Sequence, residues 1–280
     1  MLGPRILTAI VLVAVLLGAL LAPVTWPFTA LMGLIILLAA WEWSRLSGYS
    51  TPLTYAWAAV ACAGCVAMSW GGWPVARSGV APIFLFVMGG VWIVAGAELL
   101  HAGVPSWSRI PRGLRMLGGL CALWAAWLAA VALFARFGAW YLVSVLALAW
   151  AADIAAYFAG RAFGRRKLAP TISPGKSWAG VVGGQLGVLA MVALVVGCFP
   201  RGDLSSDRVH HAGWLPGALL VMALAAMSVV GDLVESLMKR SMGMKDSSHL
   251  LPGHGGVLDR IDALLPILPL SMALVQGLQF

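Results

Sequence analysis

Residues 215–238 read LPGALLVMALAAMSVVGDLVESLM, an apolar run with its acids confined to the last third. The run is long enough for an α-helix to cross the ~30 Å hydrocarbon core of a bilayer. It has no alternation of polar and apolar residues, and amides in hydrocarbon must bond within their own segment, so a helix is predicted rather than a barrel strand. Similar runs recur throughout a chain of mean hydropathy +0.94. The sequence therefore predicts an all-α polytopic integral membrane protein.

Nine candidate spans are separated by Gly- and Pro-containing junctions. They cover residues 6–24, 28–44, 52–70, 81–100, 114–135, 138–160, 178–198, 215–238 and 263–279. We divide them into an N-terminal helical region, 1–135, and a C-terminal region, 136–280, whose two long charged loops are 161–177 and 239–262.

The basic residues predict the orientation. An odd number of crossings puts the termini on opposite sides, and 14 of the 18 Lys and Arg residues then share the side of the N-terminus. Because Lys and Arg are enriched in cytoplasmic loops, we expect a cytoplasmic N-terminus, an external C-terminus and both long loops in the cytoplasm. Topology and anionic lipid account for the net charge of +8, so no nucleic-acid partner is expected.

The span at 215–238 carries a polar stripe. Its members follow the helical spacing i, i+4, i+7, i+8 and i+11, so they face one direction. They are Ser228, Asp232, Glu235, Ser236 and Lys239. A carboxylate inside a span costs a few kcal/mol and normally faces a bundle interior or a wet cavity, which makes Asp232 a functional candidate. Glu235 is either functional or an interfacial acid paired with Lys239.

The sixth span and its loop supply a second polar group. Asp153 and Tyr157 share a helix face, and the loop ends in SPGKS at 173–177. Ser173, the flexible Gly175 and the cation Lys176 precede a helix start, where backbone amides can accept phosphate oxygens.

The 239–262 loop combines a glycine turn with charge. PGHGG at 252–256 allows close approach of the backbone to a ligand, because glycine has no side chain and tolerates positive φ. Asp259 and Asp262 lie one turn apart, and hard oxygen ligands of this kind suit Mg²⁺. His254 is a proton carrier, a hydrogen-bond donor to phosphate or a turn residue, and all three readings stay open.

Two classes of function fit these residues. Intramembrane acids beside a glycine turn and many cations favour a Mg²⁺-dependent phosphoryl or nucleotidyl transferase at the membrane surface. In a transporter of an anionic solute, the same acids would couple ions to transport.

Residues 236–262, SLMKRSMGMKDSSHLLPGHGGVLDRID, resemble the signature of the phosphatidate cytidylyltransferase (CDP-diacylglycerol synthase) family; we call them the signature segment. Residues 153–161 and 173–178 are similar to that family's second conserved region. In the first five spans the likeness is limited to hydropathy and to Trp41-Glu42-Trp43.

The resemblance implies a reaction and its partners. Phosphatidate would attack the α-phosphorus of CTP in line, giving CDP-diacylglycerol and pyrophosphate for phospholipid biosynthesis. It makes 136–280 the catalytic region and implies a homodimer in the bacterial inner membrane, in contact with membrane lipid, with the site facing the cytoplasm. Another CTP-using transferase with a different lipid acceptor is the nearest alternative.

The resemblance also implies roles for individual residues. In the family, the acids matching Asp232 and Asp259 hold the metal centre, here Mg²⁺ with a second cation left open. The other catalytic candidates are Ser236, Lys239, Arg240 and His254. By physical analogy, the candidates for binding CTP and phosphatidate phosphates are Asp153, Ser173, Gly175, Lys176, Lys245, Asp246, Gly255, Gly256, Arg260 and Asp262.

Glu42 is expected to be peripheral. It lies one turn from Arg45 near a predicted interface, which favours a surface ion pair of snorkelling side chains. On this interpretation Glu42→Gln would retain most activity.

Overall fold

The computed structural model describes residues 3–198, 205 and 213–277. The helices in this part of the chain are α1 Gly3–Leu20, α2 Trp26–Leu46, α3 Thr51–Trp70, α4 Val80–Ala102, α5 Pro105–Arg109, α6 Arg112–Phe163, α7 Trp178–Cys198, α8 Trp214–Ser241, α9 Leu258–Ile261 and α10 Leu264–Gly277. A 3₁₀ turn, Trp73–Val75, lies between α3 and α4.

Six of the described helices are long and apolar enough to cross a membrane: α2, α3, α4, α6, α7 and α8. Large apolar side chains such as Trp70, Phe86 and Leu186 point outward from them. Such a surface suits lipid rather than water. The prediction of an all-α membrane protein is therefore confirmed in its general form. The crossing number stays a prediction, because α1 and α10 are shorter and α6 covers two predicted spans.

Helix α6 is two helices joined at Gly138, whose φ of +83° breaks the helical path. Near the start of the first half, Arg115 donates to the Ser47 carbonyl in the α2–α3 connection, at 3.3 Å. Near its end, Arg136 donates to the Pro74 carbonyl in the α3–α4 connection, at 3.2 Å. The first half therefore runs alongside α3 for its whole length.

The second half of α6 packs against α7 along a seam of small residues. A Cβ added at Gly183 would overlap the Cβ of Ala159, and one at Gly187 would overlap that of Ala155. Small residues at this spacing let two helix backbones approach closely, which is how many membrane helices associate. The seam is antiparallel, since Gly180 at the start of α7 lies beside Gly160 near the end of α6.

The loop at 161–177 contains a β-hairpin that the sequence did not predict. Strand β1, Lys167–Ala169, pairs antiparallel with β2, Ser173–Ser177. Ser177 then caps α7, because its hydroxyl accepts a hydrogen bond from the Gly180 amide at 3.2 Å. The hairpin gives Lys176 a defined backbone position.

Candidate active site

The last turns of α8 carry the predicted polar stripe. The Ser236 hydroxyl donates to Asp232 Oδ1 at 3.3 Å, and Lys239 forms an ion pair with Glu235. Of the two alternatives for Glu235, the ion pair with Lys239 is therefore present. Its setting differs from an interfacial pair, because the Glu235 side chain is only 2% exposed and that of Lys239 11%.

The hairpin brings Lys176 to the stripe. Lys176 Nζ lies 2.7 Å from Asp232 Oδ2, with both side chains about a quarter to a third exposed, at 26% and 32%. Asp153 on α6 and Asp262 after α9 both interact electrostatically with Asp232 and Lys176. Burial, followed by the Asp232 carboxylate, raises the pKa of Asp262. We call these four residues the Lys176 cluster: Asp153, Lys176, Asp232 and Asp262. The cluster has three carboxyl groups for one ammonium, so it attracts a further cation.

Asp259 lies in a second, more enclosed network. Its Oδ1 is 2.5 Å from Lys239 Nζ, and its Oδ2 accepts from the Ser247 amide at 3.0 Å and the Gly256 amide at 2.8 Å. Burial alone raises the pKa of Asp259, but the hydrogen bonds from Lys239 and the Gly256 amide outweigh it and hold the pKa at about 2. Asp259 is therefore a firmly ionised anchor for Lys239.

Glu42 occupies the centre of the signature segment's packing, and the prediction of a surface pair with Arg45 is wrong. The side chain is completely buried. Its carboxylate accepts hydrogen bonds from four donors, the hydroxyls of Ser247 and Ser248 and the amides of Val257 and Leu258. Arg45 instead lies over the Trp41 ring. The signal in the sequence was an acid within Trp41-Glu42-Trp43, the one local likeness in the first spans.

The glycine turn folds tightly beside these acids. The His254 amide donates to the Leu251 carbonyl, and the Leu251 amide donates to the Gly255 carbonyl, both at 2.9 Å. Gly253 and Gly255 take positive φ, as the turn requires. His254 Nδ1 is buried without a hydrogen-bond partner among the described residues. His254 is thus at least a turn residue, and its other two roles stay predictions.

Several predicted cations remain open to solvent. Lys245 and Arg260 are exposed and form no ion pair with any residue that the structure describes. Arg240 is also exposed and donates to the carbonyls of Ile172, at 3.3 Å, and Met244, at 3.2 Å. These contacts tie the end of α8 to the hairpin loop and leave positive charge available to an anion.

The remaining predicted binding residues differ in setting. Ser173 is half-buried and Gly175 exposed, both on β2. Asp246 is half-buried, and its Cβ lies 3.5 Å from the position of a Cβ added at Gly255. Gly256 has no room for a side chain, because a Cβ there would overlap the Ser247 hydroxyl.

The two predicted metal ligands, Asp232 and Asp259, differ in how accessible their carboxylate oxygens are to a cation. No three His, Cys, Asp or Glu side chains in the described ranges are grouped to share a metal ion. The Asp232 carboxylate is partly exposed and is the kind of hard oxygen ligand that suits Mg²⁺, while Asp153 and Asp262 act on it electrostatically and would favour a cation there without sharing it as ligands. Both oxygens of Asp259 already accept hydrogen bonds, so Asp259 could bind a cation only by exchange with the Lys239 ammonium.

The comparisons with known proteins extend the resemblance over nearly the whole chain. A model of the cytidylyltransferase family matches residues 3–278. The chain belongs to the cytidylyltransferase family. It is 40% identical to a phosphatidate cytidylyltransferase of Pseudomonas aeruginosa, with 98% of this chain and 97% of that protein aligned. It is 37% identical to a phosphatidate cytidylyltransferase of Haemophilus influenzae, with 96% of each chain aligned.

These findings confirm the family resemblance drawn from the signature segment. They also widen it, because the match includes the N-terminal helices of this cytidylyltransferase as well as the C-terminal half. Glu42 connects the two parts of the match in the structure, since α2 supplies a buried acceptor to the signature segment.

Proposed function

We propose that this cytidylyltransferase converts CTP and phosphatidate to CDP-diacylglycerol and pyrophosphate. The observation that carries the proposal is that charged side chains from three separate segments meet at one place. Three segments distant in sequence, 153–176, 232–240 and 245–262, bring their acids and cations to one end of the bundle. Two relatives aligned over nearly their full lengths are named phosphatidate cytidylyltransferase, which supports the same substrate pair.

The chemistry asks the protein mainly for alignment and charge neutralisation. An oxygen of the phosphatidate phosphate forms a bond to the α-phosphorus of CTP, and the bond from that phosphorus to the bridging oxygen of the β-phosphate breaks. A phosphate monoester is largely dianionic at neutral pH, so no general base is required. The exposed Arg240, Lys245 and Arg260 would bind phosphate oxygens, while buried Lys239 stays positioned by Asp259.

We propose that Asp232 holds Mg²⁺, assisted by Asp153 and Asp262. The excess negative charge of the Lys176 cluster supports this assignment. Bound Mg²⁺ would neutralise charge on the phosphates. Lys176 would then release Asp232 and bind phosphate instead, because an ammonium and a metal ion compete for one carboxylate. Asp259, the other predicted ligand, could join this cation only by releasing the Lys239 ammonium, so its proposed role is to anchor Lys239.

The site is proposed to face the cytoplasm, in the inner membrane of a bacterium. The distribution of Lys and Arg supports this side, and the contacts of Glu42 and Arg240 bring both charged loops to the end of the bundle where α2 ends. Nine crossings, with the C-terminus outside, are supported by α6, because its two halves correspond to two of the predicted spans. Residues 278–280 lie beyond the described ranges. Phosphatidate could then enter from the leaflet and CTP from the cytosol.

We also propose a homodimer, which rests on the family resemblance. Native mass spectrometry of the protein in detergent would test it, and a monomer at all protein concentrations would contradict it.

A panel of lipid acceptors tests the substrate. Purified protein in detergent would receive labelled CTP, Mg²⁺ and either phosphatidate, a polyprenyl phosphate or lysophosphatidate. The proposal expects the labelled CDP-lipid chiefly from phosphatidate, and none from Asp232→Asn. A different preferred acceptor would indicate the alternative transferase, whereas folded protein that transfers to no acceptor would favour transport.

A further inference from the structure

Glu42 is a buried acceptor whose capacity is fully used. A carboxylate offers about four lone-pair sites. Four donors meet this one: at Oε1 the Ser248 hydroxyl (2.5 Å) and the Val257 amide (2.9 Å), at Oε2 the Ser247 hydroxyl (3.0 Å) and the Leu258 amide (2.6 Å). No capacity is left for a substrate, so the arrangement is suited to holding protein rather than ligand.

The groups that donate hydrogen bonds to Glu42 and those that donate to Asp259 come from the same two short stretches, 247–248 and 256–258. The Ser247 hydroxyl lies 3.0 Å from Glu42 Oε2 and 2.9 Å from Asp259 Oδ2, so the two carboxylates share its single proton. The neighbouring amides of Gly256 and Val257 point one to each acid. Because the same backbone serves both acids, a shift at Glu42 also moves the donors that hold Asp259.

Asp259 in turn holds Lys239. Its Oδ1 lies 2.5 Å from the Lys239 ammonium, opposite Glu235. A continuous chain of contacts therefore runs from Glu42 on α2 through Ser247 and Asp259 to Lys239 on α8. It joins the N-terminal helical region to the region that carries the substrate-binding cations.

We propose that Glu42 is a positioning residue for cytidylyl transfer, which orients Asp259 and Lys239 by clamping residues 247–258. The expected effect on kcat rests on the proposed function, whereas the clamping of residues 247–258 does not. Glu42 thereby gives α2, which belongs to the N-terminal helical region, a positioning role in the reaction.

Glu42→Gln is the diagnostic variant. Gln keeps one acceptor oxygen, but its NH₂ group replaces the other and faces one hydroxyl and one backbone amide. The hydroxyl can rotate and accept a hydrogen bond, whereas the backbone N–H can only donate, so two donors are left facing each other. Loss of a residue that orients a catalytic group typically lowers activity ~10–100-fold, and we expect that loss in kcat for Glu42→Gln. Glu42→Asp keeps both oxygens one methylene short, so its kcat should be intermediate. Glu98→Gln, at an exposed acid on α4, is the matched control for loss of charge.

The kinetic readout separates positioning from loss of folded protein. Turnover is measured per folded molecule, after size-exclusion chromatography, with KM for CTP and phosphatidate determined separately. Positioning predicts a fall in kcat much larger than any rise in either KM, with partial rescue in Glu42→Asp. A kcat for Glu42→Gln within ~2-fold of Glu98→Gln would overturn the proposal.

Limited trypsin digestion tests the clamp without requiring activity. Cleavage at Lys245 should be faster in Glu42→Gln than in Glu98→Gln, because residues 247–258 lose their anchor; equal rates would contradict the clamp. If wild-type protein transferred CMP to no lipid, the proposed function would fail, while the digestion would still decide whether Glu42 holds the segment. If Glu42→Gln is not recovered folded, Glu42→Asp against Glu98→Asp gives the same two comparisons.

Discussion

Asp259→Asn is expected to lower stability as well as turnover, whereas Asp232→Asn is expected to lower turnover with a much smaller loss of stability. The Asp259 side chain is 6% exposed and balances the ammonium of Lys239. An amide carries no charge to do so, and its NH₂ group would face either the Lys239 ammonium or the amides of both Ser247 and Gly256, all of which are donors. Asp232 is 32% exposed, so water can replace its lost interactions.

The magnitude follows from the pKa of Asp259. A shift from 3.8 to about 2 corresponds to roughly 2–3 kcal/mol, at ~1.36 kcal/mol per unit. Because the pKa is lowered by folding, this stabilisation is complete above the unfolded value and is lost as the pH falls from about 4 to about 2. At pH 7 it is fully present. The partly exposed ion pair of Asp232 contributes at most ~1 kcal/mol.

Thermal unfolding in detergent at pH 7 is the assay, followed by the fluorescence of the 14 tryptophans. Asp259→Asn should lower the apparent Tm by ~4–12 °C, and Asp232→Asn by clearly less. Both should be inactive. An Asp259→Asn variant with the same apparent Tm as the wild-type protein would refute the role of Asp259 as a buried anchor for Lys239.

Three further outcomes follow from particular contacts. Lys176→Gln should reduce turnover ~10–100-fold with little change in Tm, because its ion pair with Asp232 is partly exposed; wild-type turnover would exclude Lys176 from the site. Gly183→Val should lower the yield of folded protein through overlap with Ala159, whereas Gly197→Val, in open space, should not; equal yields would argue against the small-residue seam. Removal of divalent cations with EDTA should abolish turnover reversibly, with Mg²⁺ restoring it, and turnover that persists in EDTA would contradict the metal requirement.

The parts of the fold that could be predicted are those that depend on local sequence. Hydropathy located the long helices, since a lipid-facing helix must be apolar along its whole length. Helical spacing placed Asp232, Ser236 and Lys239 on one face of α8, where their contacts now lie. The signature segment gave the family, and the comparison over residues 3–278 agrees.

The parts that could not be predicted depend on contacts between distant residues. Glu42 meets donors more than 200 residues away, and periodicity within α2 carries no information about them. The hairpin of β1 and β2 is too short to show an alternating pattern. The separation of Asp232 and Asp259 into two networks also depends on tertiary packing, because Lys176 and Lys239 reach them from different elements.

Product analysis with CTP labelled in one phosphate at a time tests the central claim most directly. With phosphatidate and Mg²⁺, label in the α-phosphate should appear in CDP-diacylglycerol and label in the γ-phosphate should appear in pyrophosphate, in equal amounts. Folded protein that yields no α-labelled lipid, or that transfers the γ-label to lipid, would contradict cytidylyl transfer to phosphatidate.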